Sequence, residues 1–169
     1  GFLVNRYTDP SQWVELVSNF INIKKVQFTA DLINPSLPKY LINKKVKETN
    51  AFLDQFGVEV TSSFTGAFTR LNNLTHPDEE FRSYYVDWFK QFVDITADFG
   101  CKHLGSHFAI LTQQDLEDSD RRNFLRSNAI QAWHEIAKYA KSRGIEEIYW
   151  EPMSISREFG ETIHEAIEL

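Results

Sequence analysis

The chain has 169 residues and a net charge of −6, from 18 Lys and Arg against 24 Asp and Glu. This length allows one domain with a substantial core, and the acidic balance argues against a protein that binds a nucleic-acid backbone through a basic face. A single cysteine excludes an intrachain disulfide, and no apolar run approaches the roughly 20 residues of a membrane-spanning helix. We therefore expect a cytoplasmic protein without nucleic-acid or membrane partners.

Helical runs and strand-like runs alternate along the whole chain. The first helix is predicted to begin with Asp9 as its N-cap and Pro10 at its first position. Three later helical runs end in a glycine that precedes a strand, at Gly57, Gly100 and Gly144. The strands are predicted near residues 2–7, 25–31, 58–65, 102–108 and 146–151. Repeated βα units of this kind predict a parallel sheet.

Two long helices carry apolar residues at three- and four-residue spacing, which is typical of a helix that packs on a core. We expect the large side chains of both stripes to be core residues, among them Phe81, Trp88, Phe92, Phe124 and Trp133.

One face of each predicted strand is polar, whereas a parallel sheet covered by helices on both sides is apolar on both faces. The polar faces carry Gln27, Thr29 and Asp31; Glu59, Thr61, Ser63 and Thr65; His103 and His107; Glu147 and Glu151. A closed barrel whose interior mouth hosts chemistry explains this pattern better. Since a complete (β/α)8 TIM barrel needs roughly 250 residues, we predict the first five βα units of one. Residues 1–169 would form a single domain truncated at the C-terminus. The start GFLVNRY without methionine and the end within a helix also lead us to expect a piece of a longer protein.

Glu151 is the first candidate for chemistry, because it ends an apolar strand and Pro152 follows it. Barrel enzymes place their active sites at the C-terminal ends of the strands, so Glu151 is predicted to be a metal ligand or a general base. The alternative is a salt bridge at the barrel mouth. His107 ends the preceding strand and could bind substrate or metal or transfer a proton, unless it is a buried structural histidine.

The other candidates lie in loops at the same predicted edge. Asp31 ends the second predicted strand, and Arg70, Asn72 and His76 lie in the long loop that follows the third. Glu158 follows Glu151 by seven residues and could reach over the mouth or open the next helix. We predict that all five bind substrate, although each could instead be a solvated loop residue or part of a helix cap.

No dinucleotide, nucleoside-triphosphate or zinc-protease motif is present. Four stretches, VQFTADLINP, SSFTGAFTRLNNLTHPDEEFRSYY, KHLGSHFAI and YWEPMSISREFGETI, resemble the xylose-isomerase-like TIM-barrel superfamily. That superfamily includes sugar isomerases, sugar-phosphate epimerases and DNA-repair enzymes of the endonuclease IV type.

The resemblance implies a metal-dependent isomerase or epimerase of a short sugar or sugar phosphate. It implies that Glu151 binds a divalent metal, Mn, Mg, Co or Zn, with the other ligands on strands beyond this sequence. Glu151 would act in proton transfer next to a ketose carbonyl, through an enediolate, together with a second glutamate on a later strand. His107 is the second catalytic candidate, predicted from its position at a strand end and not from the resemblance. The full-length protein would be a homo-oligomer, and the fragment by itself would be inactive.

Two alternatives stay open. An endonuclease IV-like enzyme would need a histidine-rich zinc site and a basic groove, which the composition disfavours. The second alternative is a catalytically incomplete fragment.

Overall fold

The computed structural model describes residues 6–153 and 155–169. Its sheet is parallel, with four strands in the order of the sequence: β1 (Lys25–Thr29), β2 (Glu59–Phe64), β3 (His103–Ser106) and β4 (Glu147–Trp150). These are the second to fifth predicted strands. The predicted strand near 2–7 lies outside the described residues except for Arg6 and Tyr7, which are not in a strand. The α/β class and the sequential parallel order agree with part of a TIM barrel.

Helices precede and connect the strands. They are α1 (Pro10–Glu15), α2 (Lys39–Phe56), α3 (Glu79–Asp98), α4 (Gln113–Glu117), α5 (Ser119–Ser142) and α6 (Ile163–Glu168). A π-helical segment, Leu16–Phe20, continues α1, and two 3-10 turns, Gly66–Thr69 and Asn73–Thr75, lie in the loop after β2. None of the helices within the described ranges is long and apolar enough to cross a membrane.

The predicted helix ends are confirmed. The Asp9 carboxylate accepts a hydrogen bond from the backbone N–H of Ser11 at the start of α1. Gly57, Gly100 and Gly144 have φ angles of 61°, 70° and 85°, the left-handed conformation that glycine adopts at little steric cost.

The core lies between the helices and one face of the sheet. Phe28 and Leu104 of the sheet are buried there with Trp88, Phe92 and Trp133 of the helices, as predicted for the last three. The prediction was wrong for two aromatic residues near the N-terminal ends of α3 and α5, Phe81 and Phe124, which are 51% and 48% exposed. The Phe81 ring stacks on His76, and the Phe124 ring lies under the guanidinium groups of Arg82 and Arg121.

The polar face predicted for β2 is also corrected. Val26 pairs with Val60, but Gln27 pairs with Ser62, so β2 contains one additional residue at this point. Since alternate residues of a strand point to opposite faces, the irregularity exchanges the faces. Ser63 therefore faces the helices, where its hydroxyl lies 2.7 Å from the Thr96 hydroxyl. Phe64 takes the inner face.

The inner face of the sheet is filled by side chains below the strand ends. The Tyr149 hydroxyl accepts a hydrogen bond from the Gln27 amide and donates one to the Ser63 carbonyl. Phe64 packs near the Tyr149 ring, at a centroid distance of 6.3 Å. Gly105 lies against both rings, and a β-carbon at this position would overlap them. These side chains form a packed layer beneath the C-terminal edge of the sheet.

Candidate active site

Glu151 lies at the C-terminal end of β4, as predicted. Its backbone N–H donates to the Ser106 carbonyl at 3.0 Å and extends the β3–β4 ladder by one residue. Pro152 has no N–H and cannot continue the ladder. The Glu151 residue is exposed, and its carboxylate makes no hydrogen bond or ion pair with any side chain that the structure describes. The alternative of a salt bridge therefore finds no support among these residues.

His107 and Glu158 form a buried pair beside Glu151. Their side chains are 1% and 0% exposed, and the His107 Nδ1 lies 3.9 Å from the Glu158 Oε1. The His107 Nδ1 lies closer, at 3.2 Å, to the backbone carbonyl oxygen of Glu151. Within the described ranges, the His107 Nε2 and the Glu158 Oε1 have no hydrogen-bond partner. Such atoms are costly to bury and are typical of a site that binds a polar ligand.

The loops after β2, β3 and β4 are tied together at Ile110. Ile110 forms an antiparallel bridge with Glu158, and the neighbouring Leu111 N–H donates to the Arg157 carbonyl at 2.7 Å. The Ile110 carbonyl also accepts from the Asn72 amide at 2.9 Å and the Thr75 hydroxyl at 2.7 Å. Glu158 is thus part of a fixed loop and not of a helix start, since α6 begins only at Ile163.

Burial perturbs the titration of the pair. Desolvation, together with a smaller effect of the charge on Glu151, raises the pKa of Glu158 to about 7. The backbone N–H groups of Met153 and Phe108 oppose this by hydrogen bonding to the Glu158 carboxylate. Desolvation also lowers the pKa of His107, and the Arg70 charge adds to that effect. Near neutral pH the structure therefore holds a neutral imidazole next to a carboxyl group that gains or loses its proton easily.

The predicted substrate residues fall into two groups. Arg70 is exposed at the end of a 3-10 turn and is close enough for its charge to act on His107. Asp31 lies at the C-terminal end of β1, where its carboxylate accepts from the Thr29 hydroxyl at 2.9 Å and the Ala67 N–H at 3.3 Å. Both lie at the strand-end edge that carries Glu151.

The other two predicted residues have structural contacts. Asn72 uses its amide to hold the Ile110 carbonyl. The ring of His76 stacks on Phe81 at 4.3 Å, and its Nδ1 accepts from the Asp78 N–H at the start of α3. Neither residue makes a contact with the His107–Glu158 pair that the structure records, so their substrate-binding role stays a prediction.

Asn73 lies in the same polar loop as Arg70, Asn72 and His76, and its environment is unusual. It is buried, its φ of 39° is left-handed, and neither amide atom has a partner among the described residues. Nothing in the sequence distinguishes Asn73 from the adjacent Asn72. Left-handed asparagines occur in turns, but only the fold reveals which of two neighbours is buried.

Two side chains at this edge carry atoms of the kind that bind divalent metals. Glu151 offers an exposed carboxylate without an ion pair, and His107 offers a free Nε2. Carboxylate and imidazole are suitable ligands for such metals. Residues 6–153 and 155–169 contain no group of three His, Cys, Asp or Glu that could hold an ion by itself.

Comparison with known proteins places this site in a family context. The family model described as "Xylose isomerase-like TIM barrel" matches residues 22–169. A D-erythrulose 1-phosphate 3-epimerase from Brucella abortus is 44% identical over 167 residues, which cover 99% of this chain and 54% of that protein. The crystal structure of a candidate xylose isomerase from Rhodospirillum rubrum superposes with a TM-score of 0.92 and 27% identity, over 99% of this chain and 57% of that one.

More distant structures share the fold. A D-psicose 3-epimerase from Clostridium cellulolyticum, solved with D-tagatose, has a TM-score of 0.68 and 15% identity, over 89% of this chain and 49% of that one. The chain thus spans about half the length of the relatives it matches.

Proposed function

Since the chain belongs to the xylose isomerase-like TIM-barrel family, we propose that it is part of an enzyme that epimerises or isomerises a short sugar or sugar phosphate. The observation that carries the proposal is the exposed Glu151 carboxylate at the end of β4, beside a buried acid and a neutral imidazole. The 44% identity to a D-erythrulose 1-phosphate 3-epimerase supports a ketose phosphate as substrate.

The residues suit proton transfer next to a carbonyl group. In a 3-epimerisation, a base removes the proton from carbon 3, the electron pair moves into an enediolate, and a proton returns to the opposite face. Glu151 is the predicted base, because it is exposed at the edge where barrel enzymes bind substrate. A second acid on the opposite face must return the proton. Glu158 offers a further polar contact, since its Oε1 is buried without a partner in the described structure.

A divalent metal, Mn, Mg, Co or Zn, would be held in part by Glu151, with the remaining ligands supplied by strands beyond β4. When bound, it would supply positive charge to the substrate oxygens as the enediolate forms. Glu151 would orient the metal and the substrate. The buried loop that carries Glu158 would keep water from the inner side of the site. Arg70 is the proposed contact for a substrate phosphate, because its guanidinium is exposed at the same edge. Asp31, Asn72 and His76 are proposed contacts for substrate hydroxyls.

We further propose that residues 1–169 are the N-terminal part of one (β/α)8 domain. The half-length matches support this. So does the groove of about 760 Å³ along the outer side of β4, which is lined largely by apolar residues such as Trp133, Ile148 and Trp150. Further βα units of the barrel would pack there. A cytoplasmic location, a homo-oligomeric state and the absence of nucleic-acid and membrane partners remain predictions.

The test is turnover of a panel of ketose phosphates by the complete protein, with Glu151→Gln as the diagnostic variant. We expect epimerisation that Glu151→Gln lowers by about 100- to 10,000-fold, the range for loss of an acid–base group. Glu147→Gln is the matched control, because Glu147 is an exposed carboxylate at the opposite end of the same strand. Equal turnover by the wild type and Glu151→Gln would contradict the proposed mechanism. Salt-sensitive binding to abasic duplex DNA, without sugar turnover, would instead favour the DNA-repair alternative.

A further inference from the structure

We propose that His107 is a positioning residue for Glu151: its ring holds the backbone of Glu151 so that the carboxylate faces the substrate. The sequence predicted a direct chemical role for His107, and the geometry points to this indirect one in its place. The inference rests on the proposed function of Glu151. Its structural part, the contact between the His107 ring and the Glu151 backbone, is independent of that function.

Two consecutive residues of the β3 end hold both polar backbone groups of Glu151. The Ser106 carbonyl accepts from the Glu151 N–H at 3.0 Å, and the His107 Nδ1 lies 3.2 Å from the Glu151 carbonyl oxygen. Pro152 adds a third constraint, because the residue before a proline is restricted to extended conformations. These three constraints act on the backbone of Glu151 and therefore set the direction in which its side chain leaves the strand.

The tautomer of His107 follows from this contact. A carbonyl oxygen only accepts hydrogen bonds, so the Nδ1 must carry the hydrogen and the Nε2 must carry the lone pair. The ring also packs against Phe64 in an edge-to-face arrangement, at a centroid distance of 5.3 Å and an interplanar angle of 84°. The ring is 1% exposed, so it has little freedom to turn.

The distances decide between this role and a histidine–carboxylate relay. The Glu158 Oε1 lies 3.9 Å from the Nδ1, which exceeds hydrogen-bond distance. The other charges that act on His107 are those of Arg70 and Glu151, and neither side chain makes a hydrogen bond to the ring in the described structure. The Nδ1 hydrogen is thus directed at the Glu151 backbone and not at a carboxylate.

Two isosteric substitutions separate the possible roles. In His107→Asn the side-chain amide nitrogen takes the place of Nδ1 and can still donate to the Glu151 carbonyl. In His107→Gln the amide nitrogen lies near the place of Nε2, and the donor to the Glu151 carbonyl is lost. We expect His107→Asn to retain most of the kcat of the complete enzyme. His107→Gln should lose about 10- to 100-fold in kcat with little change in KM, the range found for residues that orient a functional ligand. The shape of the pH profile should be the same in all three proteins.

Two further measurements do not depend on activity. Hydrogen exchange of the Glu151 amide in the complete protein should be faster in His107→Gln than in the wild type, and close to wild type in His107→Asn. The 15N spectrum of the wild-type imidazole should report hydrogen on Nδ1. These readouts decide the proposal even if no sugar is turned over, which would contradict the proposed function alone.

Three results would overturn the proposal: a wild-type ring with hydrogen on Nε2, unchanged Glu151 exchange in His107→Gln, or activity retained by His107→Gln and lost in His107→Asn. The last result would assign the Nε2 a direct role on substrate.

Discussion

At the scale of single residues, the site combines one exposed acid with one buried acid. Glu151 is open to solvent, whereas the Glu158 side chain is fully buried and has a pKa raised to about 7. A buried carboxylate without a cationic partner favours its neutral form. The Glu158 carboxyl group can therefore gain or lose its proton near neutral pH, as a group in acid–base chemistry must.

Glu158 makes stability depend on pH in a defined direction. Its folded pKa of about 7 lies above the ordinary value of 4.5, so the folded state binds more protons than the unfolded state between these values. Stability therefore falls as the pH rises through this window, by roughly 3 kcal/mol in total. Chemical denaturation of the metal-free protein at about pH 5 and about pH 8 measures the effect.

Glu158→Gln is the control for that prediction, because glutamine keeps the shape and does not titrate. We expect the variant to be less sensitive to pH in this window than the wild type. The same pH dependence in both proteins would show that another group is responsible.

The sequence predicted Glu151 and His107 because strand ends are visible in the pattern of apolar residues, and a proline marks the exit of the last strand. It could not establish the burial of Glu158. The stretch SREFGETI is compatible with a helix start, and burial results from a bridge to Ile110, 48 residues earlier in the chain. The burial of Asn73 could not be predicted for the same reason, since it depends on contacts distant in sequence.

At the scale of elements, the strands and the helix ends were predicted more accurately than the faces of the strands. The positions of β1 to β4 and the glycine ends of the helices follow from local patterns. The inner face of β2 does not, because the extra residue between Val60 and Ser62 exchanges its faces. An irregularity of one residue leaves no clear local signal in a strand that is polar on both sides.

A substitution at Gly105 tests the packing of the side-chain layer beneath the site. A β-carbon there would lie 2.6 Å from the Phe64 ring and closer still to the Tyr149 ring. We expect Gly105→Ala to destabilise the protein by about 1–3 kcal/mol, the range for an overpacked interior. Denaturant unfolding of the variant measures this change.

The matched control is Gly105→Ala in a Tyr149→Ala background, where the larger part of the overlap is removed. The substitution should cost less there than in the wild type, and the difference is the coupling energy between the two positions. An equal cost in both backgrounds would contradict the packing argument.

At the scale of the whole molecule, three successive βα loops act as one unit. Ile110 links the loop after β2, through Asn72 and Thr75, to the loop after β4, through Glu158. The candidate site residues thus lie on connected loops above a packed interior, and such support is what a preorganised site requires. The parallel order of the strands was predicted from the βα rhythm. The linkage between the loops was not, because it consists of single hydrogen bonds between distant segments.

The central claim is proton transfer at the carbon next to a ketose carbonyl. The most direct measurement is NMR of D-erythrulose 1-phosphate incubated with the complete, metal-supplied protein in deuterated water. The account predicts that deuterium enters carbon 3 as the two epimers interconvert, and that Glu151→Gln abolishes both changes. Interconversion without deuterium at carbon 3, or no change of this and other short ketose phosphates, would contradict it.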